Sequence, residues 1–247
     1  MSSDTNDAGV GEPDQHEMGG WRDLADAIES GIDRVILYGP PGTGKTFAAL
    51  NFDARRGSER LVCTEDLTTA DINGCWSPTG DGAWEWLEGP AIRAWRRGMR
   101  LVIDEVDRAS GDVLSLLLAM TDSDGSAQWR HPGTGEVLMP HRDFAVIMTT
   151  NLERIEELPV ALRDRFPVAI RIDRPHPSSV AALSADLRQL ALNGTIGDEG
   201  RRISLRVFYA FDRVRRRHGP RRAAELVLGR DRATAFLDAL TISSMLP

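Results

Sequence analysis

The chain has 247 residues, of which 41% are hydrophobic, ample for a sizeable core, and its formal charge of −7 argues against a surface generally coated with nucleic acid while leaving room for a local basic patch. No run approaches the ~18 consecutive apolar residues of a membrane span, and the polar, acidic N-terminus lacks the charged-then-apolar order of a signal peptide. One large domain, or a domain with a small appendage, is expected in the cytoplasm without membrane insertion, with Cys63 and Cys75 as reduced bystander thiols.

Met1 to Met18 is rich in Ser, Asp, Gly and Glu, a composition that cannot offset the entropy of ordering, and it reads as a disordered acidic tail. Trp21 to Ile28 carries its large apolar side chains at helical spacing, with Gly31 as its stop. Val35 to Tyr38 is a buried strand, Thr46 to Leu50 the first turns of a helix, and Leu61 to Thr64 a second short strand. Trp76, Trp84 and Trp86 flank Gly80-Asp81-Gly82, a hairpin-type turn, in what reads as a small β insertion. Pro90 to Arg97 is a helix with proline in its first turn, and Leu101 to Glu105 is a buried strand ending in two carboxylates.

Asp112 to Met120 presents a continuous apolar helical face, and Ser126 to Met139 is a hairpin candidate around Pro132-Gly133-Thr134-Gly135. Phe144 to Thr150 is another buried strand, ending on the neutral amide of Asn151. A short helix over Leu158 to Phe166 and a strand over Val168 to Ile172 follow. Arg174-Pro175-His176-Pro177 continues neither strand nor helix and marks a boundary. Beyond it only helical patterns occur, over Val180–Leu192, Leu205–Arg217, Arg222–Leu228 and Asp231–Leu240. Arg213, Arg215, Arg216 and Arg217 there read as a solvated face, with nucleic-acid binding as the alternative. The expected division is a tail over 1–18, an α/β domain over 19–173 and a helical unit over 174–247.

Gly39-Pro40-Pro41-Gly42-Thr43-Gly44-Lys45-Thr46 fits the phosphate-loop pattern at every constrained position and sits between a strand and a helix, its required setting. Glycines let the backbone curl so that successive N–H groups point at phosphate oxygens. Lys45 would place its ammonium between the β- and γ-phosphates, and the Thr46 hydroxyl would take one position on Mg²⁺. Lys45 is also the only lysine in the chain, every other basic side chain of the Lys/Arg class being arginine. A compact, strongly hydrated point charge is what that position needs, and a guanidinium fork is not equivalent. Asp104, at the carboxyl edge of the sheet, would hold the metal through water, and Glu105 would act as general base on the attacking water.

The phosphate loop, Asp104-Glu105-Val106-Asp107-Arg108-Ala109, the Thr149-Thr150-Asn151 strand end and Leu162-Arg163-Asp164-Arg165-Phe166 together resemble an AAA+ ATPase, most of all the MoxR-like and dynein-related group. The resemblance implies a five-stranded parallel sheet with helices on both faces, a C-terminal helical lid, Mg²⁺-dependent ATP hydrolysis, and assembly into a ring, usually a hexamer. Asn151 is similar to the sensor that orients the lytic water. Arg165 resembles the arginine finger offered to a neighbour's nucleotide, with Arg163 as the alternative, and Arg206 resembles the second sensor that touches the γ-phosphate. Asp107 stands where relatives often carry Asn, and no adenine-binding segment is recognisable before Trp21. The function expected is a motor that remodels or assembles a protein partner. The alternatives are a nucleic-acid-associated motor, or a scaffold that assembles with nucleotide and does not turn over.

Overall fold

A computed structural model describes residues 15–109, 111–122, 126–131, 134–194 and 202–245. Of the expected tail, 1–14 lie outside the described residues, whereas Gln15 to Met18 already belong to the first helix, α1 (Gln15–Glu29), which is kinked where Gly19 takes φ 36°. There follow β1 (Arg34–Tyr38), α2 (Lys45–Asn51), β2 (Ser58–Val62), α3 (Thr69–Asn73), a hairpin of β3 (Gly74–Pro78) and β4 (Trp84–Glu88), α4 (Pro90–Arg97) and β5 (Arg100–Asp104). Next come α5 (Gly111–Met120), a second hairpin of β6 (Trp129–Arg130) and β7 (Val137–Leu138), β8 (Ala145–Thr149), α6 (Val160–Arg165) and β9 (Val168–Arg171). Pro132 and Gly133, the expected turn of that second hairpin, lie outside the described residues. The chain ends in α7 (Pro177–Ala181), α8 (Ala185–Gly194), α9 (Leu205–His218), α10 (Pro220–Leu228) and α11 (Arg230–Met245).

Five strands form one parallel sheet in the order β2-β5-β8-β1-β9. Strand periodicity assigns each side chain to a face: Leu101, Ile103, Val146, Met148 and Ile36 join one core, and Val102, Ile147, Val35 and Leu37 join the other. The first core is roofed by α3, α4, α5 and α6, the second by α1 and α2. Both faces being covered, the three central strands read as unbroken apolar runs, which is why they were legible from sequence. The helices after β9 bury a third core of their own, around Leu187, Phe208, Phe211 and Phe236.

Two expected elements differ. The second strand runs over Ser58–Val62 rather than 61–64, because it is the sheet edge and its polar residues are anchored by side chains instead of by burial: Glu59 is held by Arg93 at 2.8 and 2.9 Å. The expected helix over 180–192 is two helices, α7 and α8. They break at Ser184, whose hydroxyl donates to the buried Asp212 of α9 at 2.8 Å. Helix α2 is short, and the buried Arg100 fixes its end by donating to the carbonyls of Ala49 and Phe52, which the helix itself leaves unpaired.

Trp95 of α4 is fully buried, makes an edge contact with Phe144 at 6.1 Å, and has an indole N–H with no partner among the described residues. Trp95→Ala is therefore expected to cost ~3–5 kcal/mol in urea unfolding, the usual range for a large buried aromatic. Trp95→Phe keeps the ring contact and removes the unpaired donor, so it should cost only ~1 kcal/mol. Equal losses in the two variants would show that the N–H is satisfied after all.

Candidate active site

The loop from Gly39 to Thr46 connects β1 to α2 and is gripped from two sides. A Cβ on Gly39 (φ 121°) would lie 2.7 Å from the carbonyl oxygen of Ile172, and one on Gly42 (φ 82°) would lie 2.6 Å from Cβ of Ser204, the residue that starts α9. Only glycine fits either place. Lys45 is 5% exposed and folds back over the loop, its Nζ donating to the carbonyls of Gly39 and Pro40 at 2.7 Å each and to Asn151 Oδ1 at 3.2 Å. Thr43 donates to the same Pro40 carbonyl at 3.3 Å. Burial brings the Lys45 pKa down to about 8, against the pull of Asp104, Glu153 and Asp107, which favour the charged form.

Asp104 closes β5 on the α2 face, at one strand period from Val102. Its Oδ1 accepts from the Thr46 hydroxyl at 2.9 Å and from Thr149 at the end of β8; its Oδ2 accepts from Arg60 of β2. Parity explains the meeting: Arg60 is in register with Val102, and Thr149 follows Ile147 on the same face, so all three partners stand on the side where α2 packs. Burial pushes the Asp104 carboxyl up, but the hydrogen bonds from Thr149, Arg60 and Thr46 outweigh it and hold the group below the ordinary carboxylate range. Arg60 is a site residue that sequence reasoning missed. Its only sequence signal was parity with a strand end, which the offset reading of β2 concealed.

Glu105 leaves the strand in the left-handed region (φ 57°, ψ 45°), a conformation that costs a non-glycine residue of order 1–3 kcal/mol. Its carboxylate is 3.2 Å from Arg108 Nε. Asp107 accepts from the Thr150 hydroxyl at 2.6 Å, which fixes the strand end beside Asn151. Arg206 stands exposed at the start of α9 and lines the same cavity, with no hydrogen bond or ion pair among the described residues. Arg165 is elsewhere. It lies off the cavity, donates to the carbonyls of Leu118 and Ala161 at 3.0 Å each, and sits 3.5 Å from Asp122. Arg163 donates to the Leu158 carbonyl at 3.3 Å.

A cavity of about 800 Å³ opens over the loop. Gly42, Lys45, Thr46, Asp104, Glu105 and Asn151 stand on its polar wall, and Trp21 and Leu24 of α1, His176, and Leu205 and Tyr209 of α9 are among the other lining residues. Trp21 makes an edge contact with His176 at 5.4 Å and donates its indole N–H to the Arg174 carbonyl at 2.9 Å. Burial lowers the His176 pKa, keeping a neutral ring there. The sequence offered no adenine-binding segment, and the structure brings Trp21 and His176, 155 positions apart, into the lining of the same cavity.

The donors present fit a nucleoside triphosphate with Mg²⁺: a buried ammonium, a backbone loop with no room for a side chain at Gly39 or Gly42, and a hydroxyl and a carboxylate in contact beside it. Among the described residues no group of three or more His, Cys, Asp or Glu could cage a metal. A hard cation here would lean on one carboxylate, one hydroxyl and phosphate oxygens, which is how Mg²⁺ is commonly held.

The family model for the AAA domain of the dynein-related subfamily matches residues 34–166, and the chain belongs to that family. It is 32% identical over 147 residues to an uncharacterised protein of Staphylococcus saprophyticus, covering 56% of this chain and 55% of the relative. A Staphylococcus aureus relative, also uncharacterised, is 33% identical over the same length and shares. The chain thus spans about half the length of the curated relatives it matches. Among solved structures, one described as a "putative ATPase" from Cytophaga hutchinsonii is 24% identical, covering 65% of this chain and 48% of that one, with a TM-score of 0.46.

The lowered Lys45 pKa has a measurable sign. Above pH 8 the ligand-free loop holds mostly neutral amine, so binding phosphates must draw in a proton. Nucleotide affinity should fall by up to about tenfold per unit as pH rises from 8 towards 9.5. Calorimetry of ADP binding at pH 8.5 in two buffers of different ionisation enthalpy should show net proton uptake; no buffer dependence and a flat affinity profile would remove the buried, neutralised lysine. Fold stability carries the opposite slope, rising over the same window because the unfolded chain keeps the proton that the folded one has lost.

Proposed function

We propose that the chain is an ATP-binding and ATP-hydrolysing motor domain of MoxR-like type, working as a ring of copies, six in the usual case, on a protein client. What supports hydrolysis most is the gathering of Lys45, Thr46, Asp104, Glu105 and Asn151 on one wall of the cavity. In this reading Lys45 exchanges the carbonyls of Gly39 and Pro40 for phosphate oxygens, and the loop N–H groups add to its effect. Thr46 and Asp104 would hold Mg²⁺, which would supply neutralisation of phosphate charge. Glu105 takes a proton from the attacking water, a role typically worth ~10²–10⁴ in rate, and Asn151 orients that water. Arg206 reaches the γ-phosphate from the lid.

Arg165 serves the neighbouring copy in this reading, since it has no access to its own cavity. To do so its guanidinium would leave Asp122, and a part-exposed pair at 3.5 Å holds it weakly. An arginine supplied in trans is worth ~10³–10⁵ in related phosphoryl-transfer enzymes, so turnover depends on assembly.

The protein-client reading draws on the two hairpins. Trp76, Trp84 and Leu87 are exposed on the first and Val137 and Met139 lie beside the second, with Trp86 packed against Trp129 at 6.1 Å to join them. Exposed aromatic and aliphatic side chains among Asp81, Glu85 and Glu88 suit polypeptide better than phosphodiester. Of the four arginines behind the nucleic-acid alternative, Arg215 is held by Asp186 and Asp212 and Arg216 by Asp212, while Arg213 and Arg217 are exposed.

Lys45→Ala should abolish binding of a fluorescent ATP analogue, whereas Glu105→Gln should bind it normally and release at least 100-fold less phosphate, on the scale of ~10²–10⁴ for a lost general base. Wild-type affinity in Lys45→Ala, or undiminished turnover in Glu105→Gln, would sink the assignment. The Glu105→Gln protein held with ATP is then the bait for the client.

For the shared site, inactive Arg165→Ala is mixed with inactive Lys45→Ala. Adjacent copies of the two kinds combine one intact loop with one intact finger, so ATPase activity should return and rise with concentration. Full activity of Arg165→Ala alone would end the proposal; recovery failing with Arg165→Ala but appearing with Arg163→Ala would move the finger to Arg163.

A further inference from the structure

Asp104 is contacted by three donors, and one of them is a full positive charge. Its Oδ1 is shared by the hydroxyls of Thr46 and Thr149, and its Oδ2 is taken by Arg60. Hydroxyls can turn their lone pairs towards a metal without leaving. A guanidinium cannot, and from Oδ2 it would share one carboxylate with a dication held on the Thr46 side, where like charges repel.

We propose that Arg60 competes with Mg²⁺ for Asp104, so that loading the metal frees an arginine into the nucleotide cavity. The inference rests on the reading of Asp104 as the metal-side acid and adds a positioning residue to it.

Several observations make Arg60 the partner that moves. Its side chain is 48% exposed, while that of Asp104 is 7% exposed and pinned by two hydroxyls. Among the described residues Asp104 is the hydrogen-bond and ion-pair partner that Arg60 has. The other nearby carboxylates are engaged: Glu59 points to the opposite face and binds Arg93, Glu105 pairs with Arg108, and Asp53 pairs with Arg55. Nor is the pair needed to attach the edge strand, since β2 is laddered to β5 along its whole length, from Ser58 with Arg100 to Val62 with Asp104. Arg60 already lines the cavity, as do Ala48 and Asn51 of α2 and the adjoining Phe52, so a guanidinium released from Asp104 remains at the cavity wall. One cation therefore keeps the carboxylate charged and correctly turned before loading, and the exchange makes metal binding and arginine release a single event.

The test reads metal binding without turnover. Mg²⁺ is titrated calorimetrically into the full chain saturated with ADP, for wild type, Arg60→Gln, Arg60→Ala, Arg60→Lys and Asp104→Asn. Removing the competing charge should lower the half-saturating Mg²⁺ concentration about tenfold in both uncharged variants, the scale on which one neighbouring cation shifts a carboxylate. Arg60→Lys, which keeps the charge, should stay near wild type, and Asp104→Asn should need far more metal. A merely structural Arg60 would leave the Mg²⁺ requirement of the uncharged variants unchanged or raise it, and either result overturns the inference while leaving Asp104 in its role. Wild-type Mg²⁺ behaviour in Asp104→Asn would overturn both.

Discussion

A carboxylate taken out of water must be repaid by hydrogen bonds, and at Asp104 that demand is met by four separated stretches of chain. β5 carries the acid, α2 supplies Thr46, β8 supplies Thr149 and β2 supplies Arg60. An unpaired buried charge would cost several kcal/mol, and the two hydroxyls and the guanidinium offset that cost. That requirement explains the sheet order locally: β5 must lie between β2 and β8 for both neighbours to reach its last residue. It also explains why α2 has to be held at both ends, by the phosphate loop at one and by Arg100 at the other.

Lys45 rests on two carbonyls of its own loop, which keeps the loop curled around a cation, and its burial makes that ammonium ready to trade them for stronger acceptors. Glu105 sits in the left-handed region one residue beyond the strand, which turns its side chain out of the sheet's alternation. Such strain persists only where the surroundings over-determine it; here the short turn over 106–108 and the Thr150–Asp107 hydrogen bond do so.

Most of the sheet was legible because its strands are buried on both faces and its phosphate loop has a fixed spacing; Val35 to Tyr38, Leu101 to Asp104 and Ala145 to Thr149 needed no tertiary information. The edge strand was less so. Ser58, Glu59 and Arg60 are polar residues held by partners far along the chain, and no apolar pattern announces them. In the cavity likewise, Gly39 to Thr46 and Asp104-Glu105 carry a sequence pattern, while the wall that includes Trp21 and His176 carries none. Trp21 reads locally as a core residue of an amphipathic helix, and His176 as part of a proline-rich break; only their 5.4 Å contact in the fold makes them a wall. Arg165 lay in a motif that specified its helix but said nothing of Leu118 and Asp122, which hold it.

The helical unit after β9 is tied to the phosphate loop by contacts that have no slack. Ser204, which opens α9, lies against Gly42 so closely that a single added carbon would collide with it at 2.6 Å. Two residues earlier, Arg202 binds Glu153 at 2.6 Å, and Glu153 also takes Arg171 from the end of β9 at 2.7 Å. Glu153 follows Leu152, whose carbonyl accepts from the N–H of Gly39, the first residue of the loop. The start of α9 is thus joined to the loop directly at Gly42 and again, through Arg202 and Glu153, at Gly39. Close-packed contacts of this kind transmit displacement instead of absorbing it. A loop that changes shape around phosphates would carry α9 along or break the Arg202–Glu153 pair, and because Arg206 is the second residue of that helix, either outcome moves its guanidinium relative to the loop.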